Sequence, residues 1–308
     1  MLTLFSIPKA FAGHIETIQL NALKSWTLLT PACEIILCGD ELGARTVAAE
    51  FKVRHLPEIA RNEFQTPLVS SAFEKVAEIA RYRHLCYVNA DIILFSDLVM
   101  AMQKIPFRHY LMVGQRHNVN LKQRWNFDQP EWDIKLRNLV LSEGTVASHF
   151  YIDYFMFTPN GFLEKLPPFA VGRPRWDNWF VYHARRAGIP VIDASRAVMA
   201  IHQNHDYSHI PRQNDESKEG SEVQWEGPEA RNNRELSTQS IGSGHQFTIL
   251  DATHIMTSRI LLPASLGRYI RKRWNSLPVL YPRTKLLVQA ASQILRPFKW
   301  LKRLLLRS

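Results

Sequence analysis

Short apolar runs alternate with segments of helical periodicity over the first 113 residues of the chain. The runs at 2–7, 34–38 and 85–88 have the composition of buried strands, and each ends at proline, glycine or polar residues. Between the first two, residues 14–26 carry apolar side chains every three or four positions, which is the spacing of one helix face. Strands that alternate with helices pack as a mainly parallel sheet with helices on both faces. The sequence therefore predicts an α/β fold.

Further elements follow along the chain. The pattern predicts helices over 42–51, 66–80, 97–104, 131–141 and 176–187, and strands over 53–55, 110–113, 154–157, 191–193 and 198–201. We expect Thr66 and Pro67 to open the third helix and Asp97 to cap the fourth, because these residue types favour helix starts. Residues 116–150 interrupt the alternation and are predicted to be an insertion rather than a separate domain.

The positive charge of the chain is concentrated near its C-terminus. The net charge is +10, yet Asp251 is the last acidic residue, and residues 252–308 hold 12 basic residues. Residues 1–251 therefore hold 26 basic and 28 acidic residues, a net charge of −2. This separates a nearly neutral body, residues 1–255, from a basic extension, residues 256–308, and it argues against nucleic-acid binding by the body.

The basic extension also has a helical pattern. Its apolar residues recur at alternating spacings of four and three: Leu287, Ala291, Ile294, Phe298, Leu301 and Leu305. That spacing predicts an amphipathic helix, which Pro297 would divide into two pieces. Basic amphipathic helices with tryptophans such as Trp274 and Trp300 are typical of segments that lie in an anionic membrane surface. The alternatives are a helix packed on the body and, less favoured, an arm that binds nucleic acid.

The sequence predicts neither a membrane-spanning helix nor a signal peptide. No apolar stretch reaches the roughly 18 residues that a spanning helix needs, and the first residues lack the basic start and long apolar run of a signal peptide. The three cysteines are odd in number, and Cys38 and Cys86 lie in apolar runs, which disfavours a disulfide framework. We expect a cytoplasmic protein, peripheral on the inner face of the membrane if the extension binds there.

Polar residues at the predicted strand ends are the first candidates for a site, because ligands of open α/β sheets bind beyond the carboxyl ends of the strands. The clearest case is Asn89 and Asp91, which flank Ala90 inside an otherwise apolar run. An unpaired carboxylate in such a run would be costly to bury. A Mg²⁺ or Mn²⁺ ion that bridges a diphosphate would supply the missing cation.

These features together resemble the GT-A glycosyltransferases, nucleotide-sugar-dependent enzymes with a Rossmann-like fold, and in particular their bacterial family 2-like members. The resemblance covers about residues 1–255 and rests on the βαβ opening, on Asp40 after the second strand, and on Asn89-Ala90-Asp91 in the place of the family's Asp-x-Asp motif. Asp91 matches the last acidic position of that motif, whereas Asn89 replaces the first aspartate. The resemblance implies a catalytic domain with a nucleotide-binding half, about 1–115, and an acceptor half, about 116–255.

The resemblance also implies a nucleotide-diphospho-sugar donor and a divalent metal ion, Mn²⁺ or Mg²⁺. The donor-binding residues that it implies lie at strand ends: Ser6, Ile7, Pro8, Asp40, Asn89 and Asp91. For Asp40, a helix cap is the alternative. For residues 6–8, the alternative is an ordinary loop.

A second group of candidates surrounds the start of the helix predicted over 176–187. Asp177 resembles the carboxylate that removes the acceptor hydroxyl proton in inverting GT-A enzymes. Trp176 and Trp179 are candidate acceptor platforms, because sugar faces stack on aromatic rings, and Asp153 is a candidate contact for sugar hydroxyls. The alternatives are a helix cap for the aspartate and core packing for the tryptophans.

Three histidines follow the last predicted core strand within eight residues. In GT-A enzymes a histidine after this strand can complete the coordination of the metal, so His202 is the first candidate ligand and His205 the second, together with Asp91. Hydrogen-bonded loop histidines are the alternative.

The resulting expectation is a glycosyltransferase that moves a sugar from a nucleotide-diphosphate donor to a saccharide or lipid-linked acceptor. A non-catalytic nucleotide- or sugar-binding protein on the same fold is the alternative from another class. A sugar-phosphate nucleotidyltransferase is disfavoured, because residues 6–13 contain one glycine and one lysine where that class needs a glycine-rich basic loop.

Overall fold

A computed structural model describes residues 1–148, 151–159, 166–205, 227–241 and 256–257. The first half contains β1 (Leu2–Ser6), α1 (Gly13–Thr27), β2 (Glu34–Cys38), α2 (Ala44–Glu50), β3 (Arg54–Leu56), α3 (Val69–Ile79), β4 (His84–Val88), β5 (Ile92–Ile93), α4 (Asp97–Gln103) and β6 (Leu111–Val113). The second half contains β7 (Arg116–Val119), α5 (Trp132–Glu143), β8 (Thr145–Val146), β9 (Tyr154–Phe157), α6 (Trp176–Arg186), β10 (Val191–Asp193), β11 (Ala200–Gln203), α7 (Pro228–Ile241) and β12 (Met256–Thr257).

The main sheet has eight strands in the order β12-β10-β6-β9-β4-β1-β2-β3. Its described pairs are parallel except for β9, which runs antiparallel to both of its neighbours, β4 and β6. The predicted α/β class, a mainly parallel sheet flanked by helices, is confirmed. The order β4-β1-β2 brings the carboxyl ends of these three strands to one edge of the sheet.

Alternating side chains of the central strands build a separate core on each face of the sheet. Phe5 and Tyr87 point to the face covered by α3 and α6, where both pack against Phe73, which in turn packs against Phe180. The opposite face packs against α1, α2 and α4, with Leu4 and other aliphatic side chains between the layers. Each large side chain buried here contributes about 1.5–3 kcal/mol to stability, which fixes the strands whose ends carry the site.

A second, smaller sheet has the order β5-β11-β7-β8. Strand β11 pairs antiparallel with β5 and parallel with β7, and β8 closes the outer edge. Residues 116–150, predicted to be an insertion, supply β7, α5 and β8, and α5 covers a small core that includes Ile93, Leu136 and Ile201. This sheet determines where the end of β11 lies relative to the turn after β4.

The start predicted for α3 and the cap predicted for α4 are wrong, although α4 does begin at Asp97, and the alternative of a helix cap is excluded for Asp40. Helix α3 begins at Val69 without a side-chain cap, and the Thr66 N–H instead donates to Asn62 Oδ1. Asp97 does not cap α4, because its Oδ2 accepts from Arg137 and from the N–H of Met199. Asp40 does not cap α2, which begins after Gly43.

Within the described ranges no helix is long and apolar enough to cross a membrane. Apart from β12, the basic extension lies outside the described residues, so its predicted amphipathic helix stays a prediction.

Candidate functional site

The turn that follows β4 carries the Asn89-Ala90-Asp91 motif. The main-chain N–H of Ile92 donates to the carbonyl of Asn89 at 3.1 Å and closes the turn. The N–H of Asn89 donates to the carbonyl of Asp153 at 2.9 Å, which extends the pairing of β4 with β9. The chain then enters β5, which pairs with β11, so the Asp91 side chain faces the end of β11.

Asp91, His202 and His205 form one cluster. The Nε2 atom of His205 lies 3.2 Å from Asp91 Oδ2, and the Nε2 atom of His202 lies 3.6 Å from the same oxygen. The three side chains offer ligand atoms that all lie within 4.8 Å of one another. The structure therefore brings together the three residues that the sequence analysis proposed as metal ligands.

The charges of this cluster suit metal ligation. Burial alone would raise the pKa of Asp91, but His202, His205 and Arg116 hold it below its usual value. Burial lowers the pKa of His202, and this effect exceeds the opposing attraction of Asp91. An ionised carboxylate and a neutral imidazole are the states in which these groups bind metals.

The cluster also has unused hydrogen-bonding capacity. Among the described residues, the buried atoms Asp91 Oδ1 and His202 Nδ1 have no hydrogen-bond partner. A buried carboxylate oxygen without a partner is costly, and a cation beside it would remove that cost. The donor set of one carboxylate and two imidazoles could therefore hold a divalent metal ion.

Three polar side chains form a hydrogen-bonded network at Asn89, the first residue of the motif. Asn89 Nδ2 donates to Asp153 Oδ1 at 2.6 Å, and Arg116 Nη1 donates to Asp153 Oδ2 at 2.8 Å. Both members of the Arg116–Asp153 ion pair are largely buried. The sequence analysis named Asn89 and Asp153 but missed Arg116, whose position at the start of an irregular insertion gave no signal.

Asp177 lies in the first turn of α6 and is partly buried. Its Oδ1 accepts from the N–H and from the Nδ2 of Asn178, at 2.7 and 3.1 Å. Burial raises the pKa of Asp177 to about 6, and the nearby charge of Asp153 adds to this effect. Asp177 is not the N-cap of α6, because Arg175 occupies that position.

Trp176 and Trp179 do not lie where an acceptor sugar could stack on them. Their exposed fractions are 5% and 2%. Trp176 packs against Tyr87 and Phe155, and Trp179 packs against Phe169. The prediction that they are acceptor platforms is therefore wrong, because protein side chains already cover their faces.

The remaining predicted donor residues lie at the ends of β1 and β2. Ser6, Ile7 and Pro8 are buried, and Ser6 Oγ has no partner among the described residues. Asp40 is exposed and forms an ion pair with Arg61, which also contacts Glu41. Strand β1 is next to β4, and β2 is next to β1, so these residues lie at the same edge of the sheet as the turn that carries Asp91.

No protein-family model matches the chain, and a comparison with curated proteins finds no match. Solved structures similar to it include a mannosyltransferase from Pyrobaculum calidifontis in complex with GDP-Man and Mn²⁺, at 11% identity and a TM-score of 0.43, over 97% of this chain and 82% of that chain. Another is described as a nucleotide-diphospho-sugar transferase from Desulfovibrio desulfuricans, at 10% identity and a TM-score of 0.41, over 78% and 97%. A third is the inositol-1-phosphate CTP transferase from T. maritima, at 8% identity and a TM-score of 0.40, over 79% and 96%. These similarities concern the fold alone.

Proposed function

We propose that this protein is a metal-dependent glycosyltransferase that uses a nucleotide-diphospho-sugar donor. The observation that carries the proposal is the cluster of Asp91, His202 and His205 at the carboxyl edge of a mainly parallel sheet, where ligands of such sheets bind. Asp91 belongs to the motif that resembles Asp-x-Asp, and the two histidines come from a different part of the chain. A cluster assembled from both segments is what a metal and diphosphate site requires.

In this proposal, Asp91, His202 and His205 hold the metal, and Asp177 accepts the proton of the acceptor hydroxyl. A divalent ion at this place supplies positive charge that stabilises the diphosphate leaving group. Asp177 suits the role of base, because a carboxylate with a pKa near 6 is ionised at neutral pH and more basic than an ordinary aspartate. Ser6, Ile7, Pro8 and Asp40 would line the donor pocket.

The donor set favours Mn²⁺ over Mg²⁺. Mg²⁺ prefers oxygen ligands and dehydrates reluctantly, whereas imidazole nitrogens suit transition metals. Two imidazoles and one carboxylate are also the ligands of non-haem Fe²⁺ sites, so Fe²⁺ belongs in any metal comparison. We expect Mn²⁺ to bind at least tenfold more tightly than Mg²⁺.

Thermal unfolding with a ligand panel tests the proposal. The full chain is unfolded with UDP-glucose, GDP-mannose, CTP and other nucleotides, each with Mn²⁺, with Mg²⁺ or with a chelator. A ligand that binds only the native state adds about 2.7 kcal/mol at a hundredfold excess over its Kd. We expect Mn²⁺-dependent stabilisation by a nucleotide-diphospho-sugar, lost in Asp91→Ala because the variant removes a metal ligand.

The matched control is Asp97→Asn, which removes a carboxylate of similar burial whose partner is Arg137 rather than the cluster. It should keep the ligand response. Stabilisation by CTP in place of nucleotide sugars would instead indicate a nucleotidyltransferase. Donor binding without transfer to any saccharide or lipid-linked acceptor would indicate a non-catalytic binding protein.

We also propose that the basic extension holds the enzyme at an anionic membrane surface, where a lipid-linked acceptor would be found. Each basic residue near such a surface contributes about 1 kcal/mol to binding. We expect truncation after Ser258 to weaken binding to vesicles that contain phosphatidylserine at least 100-fold, and to leave donor binding intact. Vesicles of phosphatidylcholine alone are the control, and equal sedimentation of both proteins with the anionic vesicles would contradict the proposed membrane role.

A further inference from the structure

A pair of buried side-chain amides links helix α1 to the candidate metal ligands. Asn21 and Gln203 are both fully buried, and Asn21 Nδ2 donates to Gln203 Oε1 at 2.9 Å. Gln203 Nε2 in turn donates to the carbonyl of Ile18 at 2.8 Å and to the carbonyl of Asp91 at 3.0 Å. The amide of Gln203 is thereby fixed in one orientation, with every hydrogen-bonding group in use.

Gln203 occupies a special place in the sequence, between His202 and His205. Its main-chain N–H also donates to the carbonyl of Asp91, at 3.3 Å. One residue therefore joins the segment that carries both imidazoles to the residue that carries the carboxylate. Together with the pairing of β5 and β11, these hydrogen bonds from the main chain and the side chain of Gln203 hold the two segments at their distance.

The other end of the amide pair is anchored equally well. Asn21 Oδ1 accepts from the N–H of Trp125 at 2.9 Å, and Asn21 Nδ2 also donates to the carbonyl of Gln123 at 3.2 Å. A buried polar network in which each member is satisfied is rigid and specific, whereas a partly satisfied one is costly. Asn21 is therefore fixed in place, and it holds the side-chain amide of Gln203 in one orientation.

We propose that Gln203, oriented by Asn21, is a positioning residue that sets the spacing of the Asp91, His202 and His205 ligand atoms. This rests on the proposed function in one respect, namely that the cluster holds a metal ion. Replacing residues that hold metal ligands in position through hydrogen bonds commonly changes metal affinity by about 10- to 100-fold. Gln203 does not itself offer a ligand atom, because both ends of its amide are already bonded within the protein.

The test compares Gln203→Met with Gln19→Met in the full chain. Gln19 is a matched control: it is buried and makes two hydrogen bonds, at 2.7 and 2.9 Å, to the main chain of Lys9. Each variant loses the hydrogen bonds of a side-chain amide and keeps a side chain of similar volume. We expect the Kd for Mn²⁺, measured by titration calorimetry and by the electron paramagnetic resonance of free Mn²⁺, to rise about 10- to 100-fold in Gln203→Met and to stay within about twofold in Gln19→Met.

Asn21→Ser provides a second variant, which frees the Gln203 amide to turn without removing it. We expect a smaller weakening of Mn²⁺ binding, about threefold to tenfold, and this variant decides the question if Gln203→Met does not fold. Unchanged Mn²⁺ affinity in the folded Gln203 variant, or in the Asn21 variant that replaces it, would overturn the positioning role and leave the proposed function standing. Failure of the unmodified protein to bind Mn²⁺ would overturn both.

Discussion

Replacing Asp177 with asparagine is expected to make the protein more stable above pH 6 and to remove its transfer activity. Burial raises the pKa of Asp177 from an ordinary 3.8 to about 6, so the native state disfavours the carboxylate. Each pKa unit corresponds to about 1.4 kcal/mol. Because Asp177 is only partly buried, we expect a gain on the order of 2 kcal/mol in the free energy of unfolding at pH 8.

The direction of the pH dependence follows from proton binding. Between about pH 4 and pH 6 the native state keeps the Asp177 proton that the unfolded state has lost, so the stability of the unmodified protein falls as the pH rises. Asparagine has no proton to lose there. The two proteins should therefore have equal stability near pH 3.5. The stability advantage of the variant should grow as the pH rises to about 6 and then remain constant, as measured by urea unfolding at a series of pH values.

Transfer activity should change in the opposite direction. A general base contributes about 10²- to 10⁴-fold to the rate, so Asp177→Asn should lower kcat by at least 100-fold while Mn²⁺-dependent donor binding persists. A gain in stability with a loss of activity is typical of a residue kept for function. Activity within a few-fold of the unmodified protein would contradict the role of Asp177 as base.

Asp133→Asn is the matched control for this substitution. Asp133 is the second residue of α5 and follows a tryptophan, as Asp177 does in α6. Both helices also begin after a residue with positive φ, Glu131 at 57° and Arg175 at 88°. The control therefore repeats the same local change outside the candidate site, and we expect changes in stability within about 0.5 kcal/mol and unchanged transfer.

The main sheet could be predicted because its strands follow local patterns, and the metal cluster because its motif resembles that of a known family. The runs at β2, β9 and β10 are bounded by turn residues, and the structure places these strands where the pattern does. Asp91 and His202 follow predicted apolar runs, which made them candidates, and the resemblance to GT-A enzymes joined them in one metal site. The small sheet was not predicted as a sheet, because β5 and β8 are two residues long and show no periodicity.

The errors occurred where residue type alone does not decide between two environments. By residue type alone, a tryptophan at the start of α6 could be a sugar platform or part of the core, and the packing of Tyr87 and Phe155 against Trp176 shows that it belongs to the core. Arg116 and Gln203 were missed for a different reason. Their roles depend on partners 37 and 112 residues away along the chain, and such contacts leave no spacing to detect.

Replacing Asn89 with aspartate, which would create the Asp-x-Asp pattern of the GT-A glycosyltransferases, is expected to destabilise the protein. Asn89 Nδ2 lies 2.6 Å from Asp153 Oδ1, so an aspartate at position 89 would place its carboxylate directly against that of Asp153. Two carboxylates that share a site raise the pKa of one of them strongly. A rise of about two units costs about 3 kcal/mol at pH 7, and we expect that loss in urea unfolding.

The loss should disappear on acidification. Since the pKa of the pair is raised in the native state, the native state holds the extra proton, and the penalty is absent below about pH 4 and grows as the pH rises. Asn126→Asp, an exposed position, introduces the same charge elsewhere and should change stability by less than about 0.5 kcal/mol. An Asn89→Asp variant as stable as this control at pH 7 would contradict the contact with Asp153.

Exchanging the two side chains provides the decisive comparison. In Asn89→Asp with Asp153→Asn, the amide and the carboxylate trade places, so one hydrogen bond between them can form again with the donor on the other side. We expect recovery of most of the 3 kcal/mol that the single variant loses, but not all of it, because Arg116 loses the charge of its Asp153 partner. Such a recovery would mean that Asp153 determines the residue type at position 89. The chain keeps one carboxylate in this network, directly before β9 and beside Arg116, and therefore needs an amide where the motif has its first aspartate.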